Sequence, residues 1–279
     1  MPELPEVETT RRGLAGVLEG HVLTRVQQRR ADLRLPIPDD FVARLQGNRV
    51  VGIGRRSKYL LIHMADGLVV LCHLGMSGRF VMTALDREEP PEPGPHDHLV
   101  FETDGRVQLI FRDPRRFGLV TFADAGAVDA HPLLADIGPE PLGNAFSAAH
   151  LDARLAGRRT PIKAALLDQR LVAGLGNIYV CEALFRAGIS PRRSAATVVG
   201  RRAARLVPAV RAVLGQAIEA GGSTLRDYAQ VDGELGYFQT QFLVYGREGE
   251  PCVTDGCTAT VRRIVQSNRS TFFCPRCQR

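Results

Sequence analysis

The chain contains no tryptophan and no apolar run that approaches the roughly 20 residues needed to cross a bilayer. Its first residues lack the basic segment followed by an apolar one that marks a secretory signal. These absences argue against a membrane-spanning or secreted protein, and they predict an intracellular protein in a reducing compartment, with no membrane partner. The 279 residues are enough for two domains with separate cores.

Acidic residues are in deficit, with 30 Asp and Glu against 36 Lys and Arg, so the formal net charge is +6. That balance favours a polyanionic partner, although charge alone does not identify nucleic acid. Cysteine is also scarce and unevenly placed, because four of the six residues lie between Cys252 and Cys277. In a reducing compartment such a cluster indicates a metal site rather than disulfides.

Short alternating apolar runs at regular spacing occupy the first half of the chain, and helical periodicity follows a glycine- and proline-rich stretch near residue 140. The pattern predicts an α+β multidomain protein: an N-terminal β-sandwich or barrel, a helical domain and a C-terminal zinc β-hairpin. We place the β domain at 1–134, the linker at 135–146, the helical domain at 147–245 and the hairpin at 246–279.

Pro2 is followed by Glu3, and the small proline favours removal of Met1. The chain would then start with a secondary amine, and an α-amino group has a pKa of about 7.7–8.0, so part of it is nucleophilic near neutral pH. Attack on a sugar aldehyde carbon would give an iminium, with Glu3 beside it as a proton donor or acceptor. The alternative is an extended leader into a helix, with Pro5 and Glu6 in the first turn.

The cysteine spacing Cys252-x4-Cys257-x16-Cys274-x2-Cys277 provides four thiolates in two close pairs, which suits one structural Zn²⁺. The spacer has the length of a β-hairpin and carries arginines at 262, 263 and 269, whose guanidinium groups match phosphates and guanine edges. The alternative for any single arginine is a solvated side chain on a basic hairpin.

Further candidates lie in the helical pair that spans 160–188 and in two glycine-bounded loops. Asn177 would start a helix, where unpaired N–H groups bind anions, and Lys163 could join it; an ordinary helical hairpin is the alternative. Met76 and Phe117 are bulky residues in the two loops, close to Arg115, as in proteins that wedge apolar groups into DNA. They could equally be minor core residues, and Lys58 could be a solvated strand-edge lysine.

In combination and in this order, these features resemble the bacterial formamidopyrimidine-DNA glycosylases over nearly the whole chain. The resemblance is carried by PELPEVET (2–9), KYLL (58–61), HLGM (73–76), DPRRFG (113–118), GLGNIY (174–179), GSTLRDY (222–228), VYGR (244–247) and the cysteine tail.

The resemblance implies an N-terminal β-sandwich flanked by helices, a helix–two-turn–helix domain and a zinc hairpin, with damaged double-stranded DNA in the cleft between domains. It also implies a monomer of the bacterial cytoplasm, associated with the nucleoid through DNA. The catalytic residues would be Pro2 as nucleophile, Glu3 as acid and base, Glu6 as a brace, and Lys58 as a phosphate contact. The DNA contacts would be Met76, Arg115 and Phe117 in the gap of the duplex, Lys163 near the damaged base, and Asn177 and Arg269 on the backbone, with Tyr245 as a further DNA-binding residue.

The implied activity is base excision repair: removal of oxidised purines, namely 8-oxoguanine and formamidopyrimidines, followed by β,δ-elimination through an N-terminal proline Schiff base. Leu4 favours this branch over the related endonuclease VIII branch, which typically has glycine there. One departure is the first cysteine pair, usually spaced by two residues and here by four, which leaves the aim of Arg269 open. The competing class is a non-enzymatic zinc protein that binds bent or damaged DNA, which retention of Met1 would favour.

Overall fold

The computed structural model describes residues 2–85, 92–224 and 229–279, and its contacts group the chain into two compact units. The first unit joins Met1–Ala135 to Ala220–Tyr237, and the second joins Asp136–Glu219 to Phe238–Arg279. The segment 220–237 falls within the helical domain predicted from chain order. It groups with the first unit because its backbone bonds to it: Ser223 N–H donates to Glu6, and the Val231 carbonyl accepts from Met82 N–H.

The first unit is a β-sandwich with flanking helices, as predicted. Its two four-stranded sheets are antiparallel and have the strand orders β1-β6-β7-β5 and β2-β3-β4-β8. Its elements are α1 (Leu4–Leu18), β1 (Leu23–Gln28), α2 (Phe41–Leu45), β2 (Val50–Arg56), β3 (Tyr59–Met64), β4 (Leu68–His73), β5 (Arg79–Ala84), β6 (Asp97–Thr103), β7 (Val107–Arg112) and β8 (Leu119–Asp124).

One apolar core fills the first unit. Leu109 of one sheet and Leu60 of the other belong to it, together with Leu14 of α1 and Phe41 of α2, and all four side chains are fully buried. Burial of side chains of this size contributes about 1.5–3 kcal/mol each. This core holds α1 rigidly, and with it the N-terminal residues from which α1 begins.

The tight turns at Asp66-Gly67 and Asp104-Gly105 both join antiparallel strands, but they differ in backbone conformation. At Asp66-Gly67 the glycine has φ +86°, as expected between β3 and β4. At Asp104-Gly105, between β6 and β7, Arg106 takes the positive φ of 57° instead. A Cβ at Gly105 would lie 2.6 Å from the His21 ring, so that ring would have to move to admit a larger residue.

The second unit is mainly helical and ends in a two-stranded hairpin. Ser147 caps its first helix by accepting a hydrogen bond from His150 N–H, and Pro208 lies inside the longest helix without ending it. Its elements are α3 (Ala148–Leu155), α4 (Ile162–Leu167), α5 (Asn177–Arg186), α6 (Arg201–Glu219), β9 (Arg262–Gln266) and β10 (Arg269–Phe273). None of the helices in the described ranges has the length and apolarity to cross a membrane.

Candidate functional site

The N-terminal segment is buried and held by carboxylates. Pro2 is buried, Glu3 is only 3% exposed, and Glu6 is 2% exposed. Glu3 is the cap residue of α1, and its N–H donates to Glu6 Oε2 at 2.8 Å. Burial in a fixed geometry distinguishes this segment from a solvated leader, since a carboxylate side chain is almost never buried without partners.

Glu6 also joins the N-terminus to a distant loop. Its Oε1 accepts the Ser223 N–H at 2.8 Å, across 217 positions of sequence. Ser223 bridges to Tyr237, and Gly236 N–H donates to Thr224 Oγ1, so the base of this loop is closed. The rest of GSTLRDY, residues 225–228, lies outside the described residues. The hydrogen bond from Ser223 was not foreseen from the sequence, which contains no signal for a contact of this range.

Lys58 lies in the turn between β2 and β3, after Ser57, whose φ is +55°. It is 7% exposed, which differs from the solvated strand-edge alternative. The turn is fixed by Arg55, whose guanidinium donates to the Ser57 carbonyl at 2.7 Å.

His73 lies near this lysine. Burial, together with the charges of Lys58 and Arg34, lowers the pKa of His73 to about 4. The imidazole is therefore neutral at pH 7, and its Nδ1 accepts the Gly75 N–H at 2.9 Å. His73 thus orders the start of the first glycine-bounded loop.

Asp113 fastens the two glycine-bounded loops to each other. Its side chain is fully buried, with Oδ1 accepting the Ser77 hydroxyl at 2.5 Å and Oδ2 accepting Gly118 N–H at 2.8 Å. Gly75 has φ +64°, and a Cβ there would lie 2.3 Å from the Phe117 carbonyl carbon. The two loop backbones therefore pack directly against each other.

This rigid double loop, formed by residues 73–78 and 113–118, exposes the three side chains that were candidates from the sequence. Met76 is 36% exposed and Phe117 is 46% exposed, so neither is a buried core residue. The Arg115 guanidinium lies 4.9 Å from the Phe117 ring centroid, a cation–π distance. Two apolar groups and one cation on a fixed support are suited to fill a gap in a base stack.

In the second unit, Lys163 and Asn177 meet at the hairpin. Lys163 is fully buried and donates to Thr271 Oγ1 at 2.6 Å and to the Ser270 carbonyl at 3.1 Å. Asn177 Nδ2 donates to the same carbonyl at 2.9 Å. Both side chains therefore fix the residue that follows Arg269, which is exposed at the start of β10. The contact of Lys163 with the hairpin was not expected from the sequence.

Tyr245 is positioned by a carboxylate that sequence reasoning missed. Glu182, fully buried in α5, accepts the backbone N–H groups of Leu243, Val244 and Tyr245 at 2.9–3.2 Å. The Tyr245 hydroxyl lies 3.4 Å from Asn177 Nδ2. The sequence did contain a signal for this contact, because Glu182 is the only acid among the largely apolar residues of α5.

The four tail cysteines converge on one centre. Their sulfur atoms all lie within 4.8 Å of one another, with 3.8 Å between Cys252 and Cys277 and 3.7 Å between Cys257 and Cys274. Zn–S bonds of about 2.3 Å in a tetrahedron place sulfurs about 3.8 Å apart. The donor set therefore fits zinc, and four thiolates leave no open position for catalysis. Within the described ranges, no other His, Cys, Asp or Glu group could hold a metal.

The wider first cysteine spacing is absorbed locally. Cys257 N–H donates to the Thr254 carbonyl, and Gly256 takes a φ of +72°, so the extra residues form a turn. The hairpin keeps a regular antiparallel register in which Arg269 pairs with Gln266. Ser267 and Asn268 both have positive φ, as a two-residue hairpin turn requires.

Comparison with known proteins gives a consistent result along the chain. Family models described as formamidopyrimidine-DNA glycosylase N-terminal domain, formamidopyrimidine-DNA glycosylase H2TH domain and zinc finger found in FPG and IleRS match residues 1–120, 137–229 and 249–279. Formamidopyrimidine-DNA glycosylases of Rhodospirillum centenum and Cereibacter sphaeroides are 62% and 57% identical, with 100% of both chains covered.

Solved structures agree. The MutM (Fpg) protein of Thermus thermophilus is 45% identical, with a TM-score of 0.86 over 99% of this chain and 98% of that one. A complex of Lactococcus lactis Fpg with DNA that contains an abasic site is 35% identical, with a TM-score of 0.89 and full coverage of both chains.

Gly75→Ala tests the double loop. We expect it to destabilise the fold by about 1–3 kcal/mol, because the new Cβ would overlap the Phe117 backbone at a left-handed residue. Gly52→Ala is the matched control, since a Cβ there meets nothing within 4 Å. Urea unfolding measures both variants; equal stability of the two would contradict the direct packing of the loops.

His73→Asn tests the neutral imidazole. The pKa of His73 is lowered, so between about pH 6.5 and 4 the unfolded chain binds a proton that the folded chain does not, and stability falls as pH falls. Asparagine keeps an acceptor for Gly75 N–H but does not titrate. The free energy of unfolding of the parent should therefore drop more between pH 7 and 4.5 than that of the variant.

The control for this experiment is His131→Asn, which removes a histidine that accepts a comparable backbone N–H, from Leu133. Identical pH dependence of the parent and His73→Asn would show that burial of His73 has no linkage to folding.

Cys257→Ser tests the zinc centre. The tail has a small core, so the metal supplies most of its folding energy, on the order of 10 kcal/mol. We expect loss of zinc by metal analysis and loss of binding to duplex DNA, while the remainder of both units stays folded by circular dichroism. Thr258→Ala, a neighbour without ligand atoms, should retain one zinc per chain. Parent protein that is purified without chelators and contains no zinc would remove the basis for the site.

Proposed function

The chain belongs to the formamidopyrimidine-DNA glycosylase family, and from this premise we propose that it is a bifunctional base excision repair enzyme. It removes oxidised purines, 8-oxoguanine and formamidopyrimidines, from duplex DNA and then nicks the strand by β,δ-elimination. The observation that carries the proposal is the buried Pro2-Glu3 pair at the start of α1, in a chain that matches the family over its full length.

Pro2 is the nucleophile in this proposal. After removal of Met1 its secondary amine attacks C1′ of the damaged nucleotide, the bond from C1′ to the base breaks, and the base leaves with the electron pair. The amine then loses its proton, and the C1′–O4′ bond breaks as O4′ takes up a proton, which leaves an iminium between Pro2 and C1′. The iminium withdraws electrons from the sugar, so that a proton is lost at each elimination and the 3′ and then the 5′ phosphate depart. Glu3 transfers protons as the base leaves and the sugar ring opens.

Glu6 braces this centre. Its two oxygens accept the Glu3 and Ser223 N–H groups, so a single buried carboxylate fixes the acid–base residue and the base of the 223–237 loop. We infer that this loop contacts the extruded base, which costs a few kcal/mol to unstack and least where pairing is already weakened.

The remaining DNA contacts divide by chemistry. Met76, Arg115 and Phe117 fill the gap left in the duplex, because their double loop is rigid and their side chains are exposed. Arg115 faces the base that has lost its partner. Lys58 contacts a backbone phosphate. The phosphate contacts of the second unit come from the hairpin region, where Lys163 and Asn177 hold the strand that begins with Arg269. The residues that make these phosphate contacts are Asn177, Tyr245 and Arg269.

Zinc is structural in this scheme, with one ion per chain. Bound zinc supplies folding energy to the hairpin that carries Arg269. We further propose that the enzyme acts as a monomer in the bacterial cytoplasm, where it is associated with the nucleoid through DNA. The bacterial sources of its relatives and the net positive charge support this location.

Borohydride reduction tests the nucleophile. On a duplex with 8-oxoguanine opposite cytosine, we expect a covalent complex in which the DNA is attached to the peptide that begins with Pro2. The mapping is decisive because the chain has only two lysines, Lys58 and Lys163, as competing side-chain amines. Attachment at either lysine would overturn the assignment, and retained Met1 in active protein would do the same.

Glu3→Gln separates chemistry from binding. Base excision should fall by about 10²–10⁴-fold, the usual contribution of a positioned acid or base, whereas the affinity for damaged duplex should change little. Glu19→Gln, in the residue that ends the same helix, is the control, because its amide can still accept the Ile53 N–H. Parallel loss of binding and excision in Glu3→Gln would assign Glu3 a structural role.

A further inference from the structure

Charge is distributed very unevenly in the second unit. Between Glu182 and Glu219 the chain has no acidic residue but seven arginines. These are Arg186, Arg192, Arg193, Arg201, Arg202, Arg205 and Arg211.

Two of the seven differ from the others in their surroundings. Arg211 donates to the carbonyls of Pro141, Gly143 and Phe146, which fastens the start of the unit to α6. Arg186 is half-buried, and burial lowers its pKa against the opposing effect of Glu182. The other five lie before and at the start of α6, and we call them the arginine surface: Arg192, Arg193, Arg201, Arg202 and Arg205.

No Asp or Glu side chain forms an ion pair with the five arginines among the residues that the structure describes. Arg192, Arg201 and Arg205 are exposed, and Arg193 Nε donates to Arg279 O at 3.1 Å. One acid does reach this region, since Asp152 accepts the Gly200 N–H at 2.8 Å.

The local arrangement adds to the positive potential. Arg201 and Arg205 are one helical turn apart, where like charges destabilise a helix. They also lie at the N-terminus of α6, where the helix dipole is positive. An anionic ligand would relieve both costs.

The surface is continuous with the hairpin. Arg202 donates to the Thr197 carbonyl, and these residues line two adjoining depressions of about 570 Å³ each. Gln266, the register partner of Arg269, donates to the Pro191 carbonyl next to Arg192. A chain of basic groups therefore leads from the hairpin to the start of α6.

We propose that the arginine surface binds the sugar–phosphate backbone of DNA that flanks the lesion, as a continuation of the contact made by Arg269. The proposal rests on the proposed function in that it takes DNA as the ligand. Arginines beside hydroxyl groups suit phosphates, and here Ser194 and Thr197 line the same depression as Arg192 and Arg193. A protein partner would need an apolar or aromatic anchor, whereas Val199, 38% exposed, is the only large exposed apolar side chain lining either depression among the described residues.

The test uses the full-length protein with Arg192→Gln, Arg201→Gln and Arg205→Gln combined, three exposed side chains without hydrogen bonds among the described residues. Binding is measured against salt on two lesion duplexes of about 14 and 40 base pairs, roughly 50 and 140 Å long at about 3.4 Å per pair. On the long duplex, the slope of log K against log salt should fall by about 2.7, or about 0.9 for each lost phosphate contact. On the short duplex, affinity and single-turnover excision should match the parent.

The control combines Arg25→Gln, Arg44→Gln and Arg49→Gln, which removes three exposed charges from the first unit. It should leave the slope unchanged on both duplexes. The proposal would be overturned if the parent and the arginine-surface variant had equal slopes of log K against log salt on the long duplex. If the variant also bound polyglutamate more weakly than the parent, the surface would be assigned to an acidic protein partner instead. Loss of excision on the short duplex would place these arginines at the lesion and likewise overturn it. Absence of excision in the parent would refute the proposed function instead.

Discussion

The buried carboxylate of Glu6 is the contact on which the candidate active site depends. It accepts two backbone N–H groups, from Glu3 and Ser223, that lie far apart in sequence. Removing a carboxylate from water is costly unless charge-assisted hydrogen bonds replace the lost hydration. The Glu6 carboxylate is therefore stabilised by both the N-terminal segment and Ser223, which couples the position of one to the position of the other.

Buried carboxylates also accept hydrogen bonds from loops at two other places in the candidate site. Asp113 receives a hydroxyl and a backbone N–H and so locks the double loop, and Glu182 receives three backbone N–H groups and so fixes the approach to Tyr245. In each case an acid inside the fold organises a loop that presents neutral or basic groups at the surface. Acids used in this way are buried, so their carboxylates are not exposed at the protein surface. The net positive charge is thus left to act at the exterior.

Periodicity and turn chemistry predicted most of the fold, since the strands from β3 to β8 follow short-range apolar alternation. The misses have a common cause. Asp97 and His98 follow a proline- and acid-rich stretch, and their place at the start of β6 was not foreseen. It is stabilised because Asp97 pairs with Arg112 at 2.5 Å. The hydrogen bond from the Lys163 ammonium to Thr271, 108 positions away, was not foreseen either. From its neighbours in the sequence, a polar residue is predicted to be exposed to solvent. The partner that makes its burial favourable is distant in the sequence and is seen only in the folded chain.

The cysteine tail shows why spacing constrains a metal site less than it constrains a hairpin. Zinc requires four sulfurs at tetrahedral separations, and a loop between two of them can lengthen without changing those separations. Here the added length forms a turn at 254–256, before the strands begin. Register is set separately, by the two left-handed residues Ser267 and Asn268 and by the bonds from Lys163 and Asn177 to Ser270. The direction of Arg269 is therefore determined by the helices of its own unit and by the hairpin turn, and the metal secures the opposite end of the hairpin.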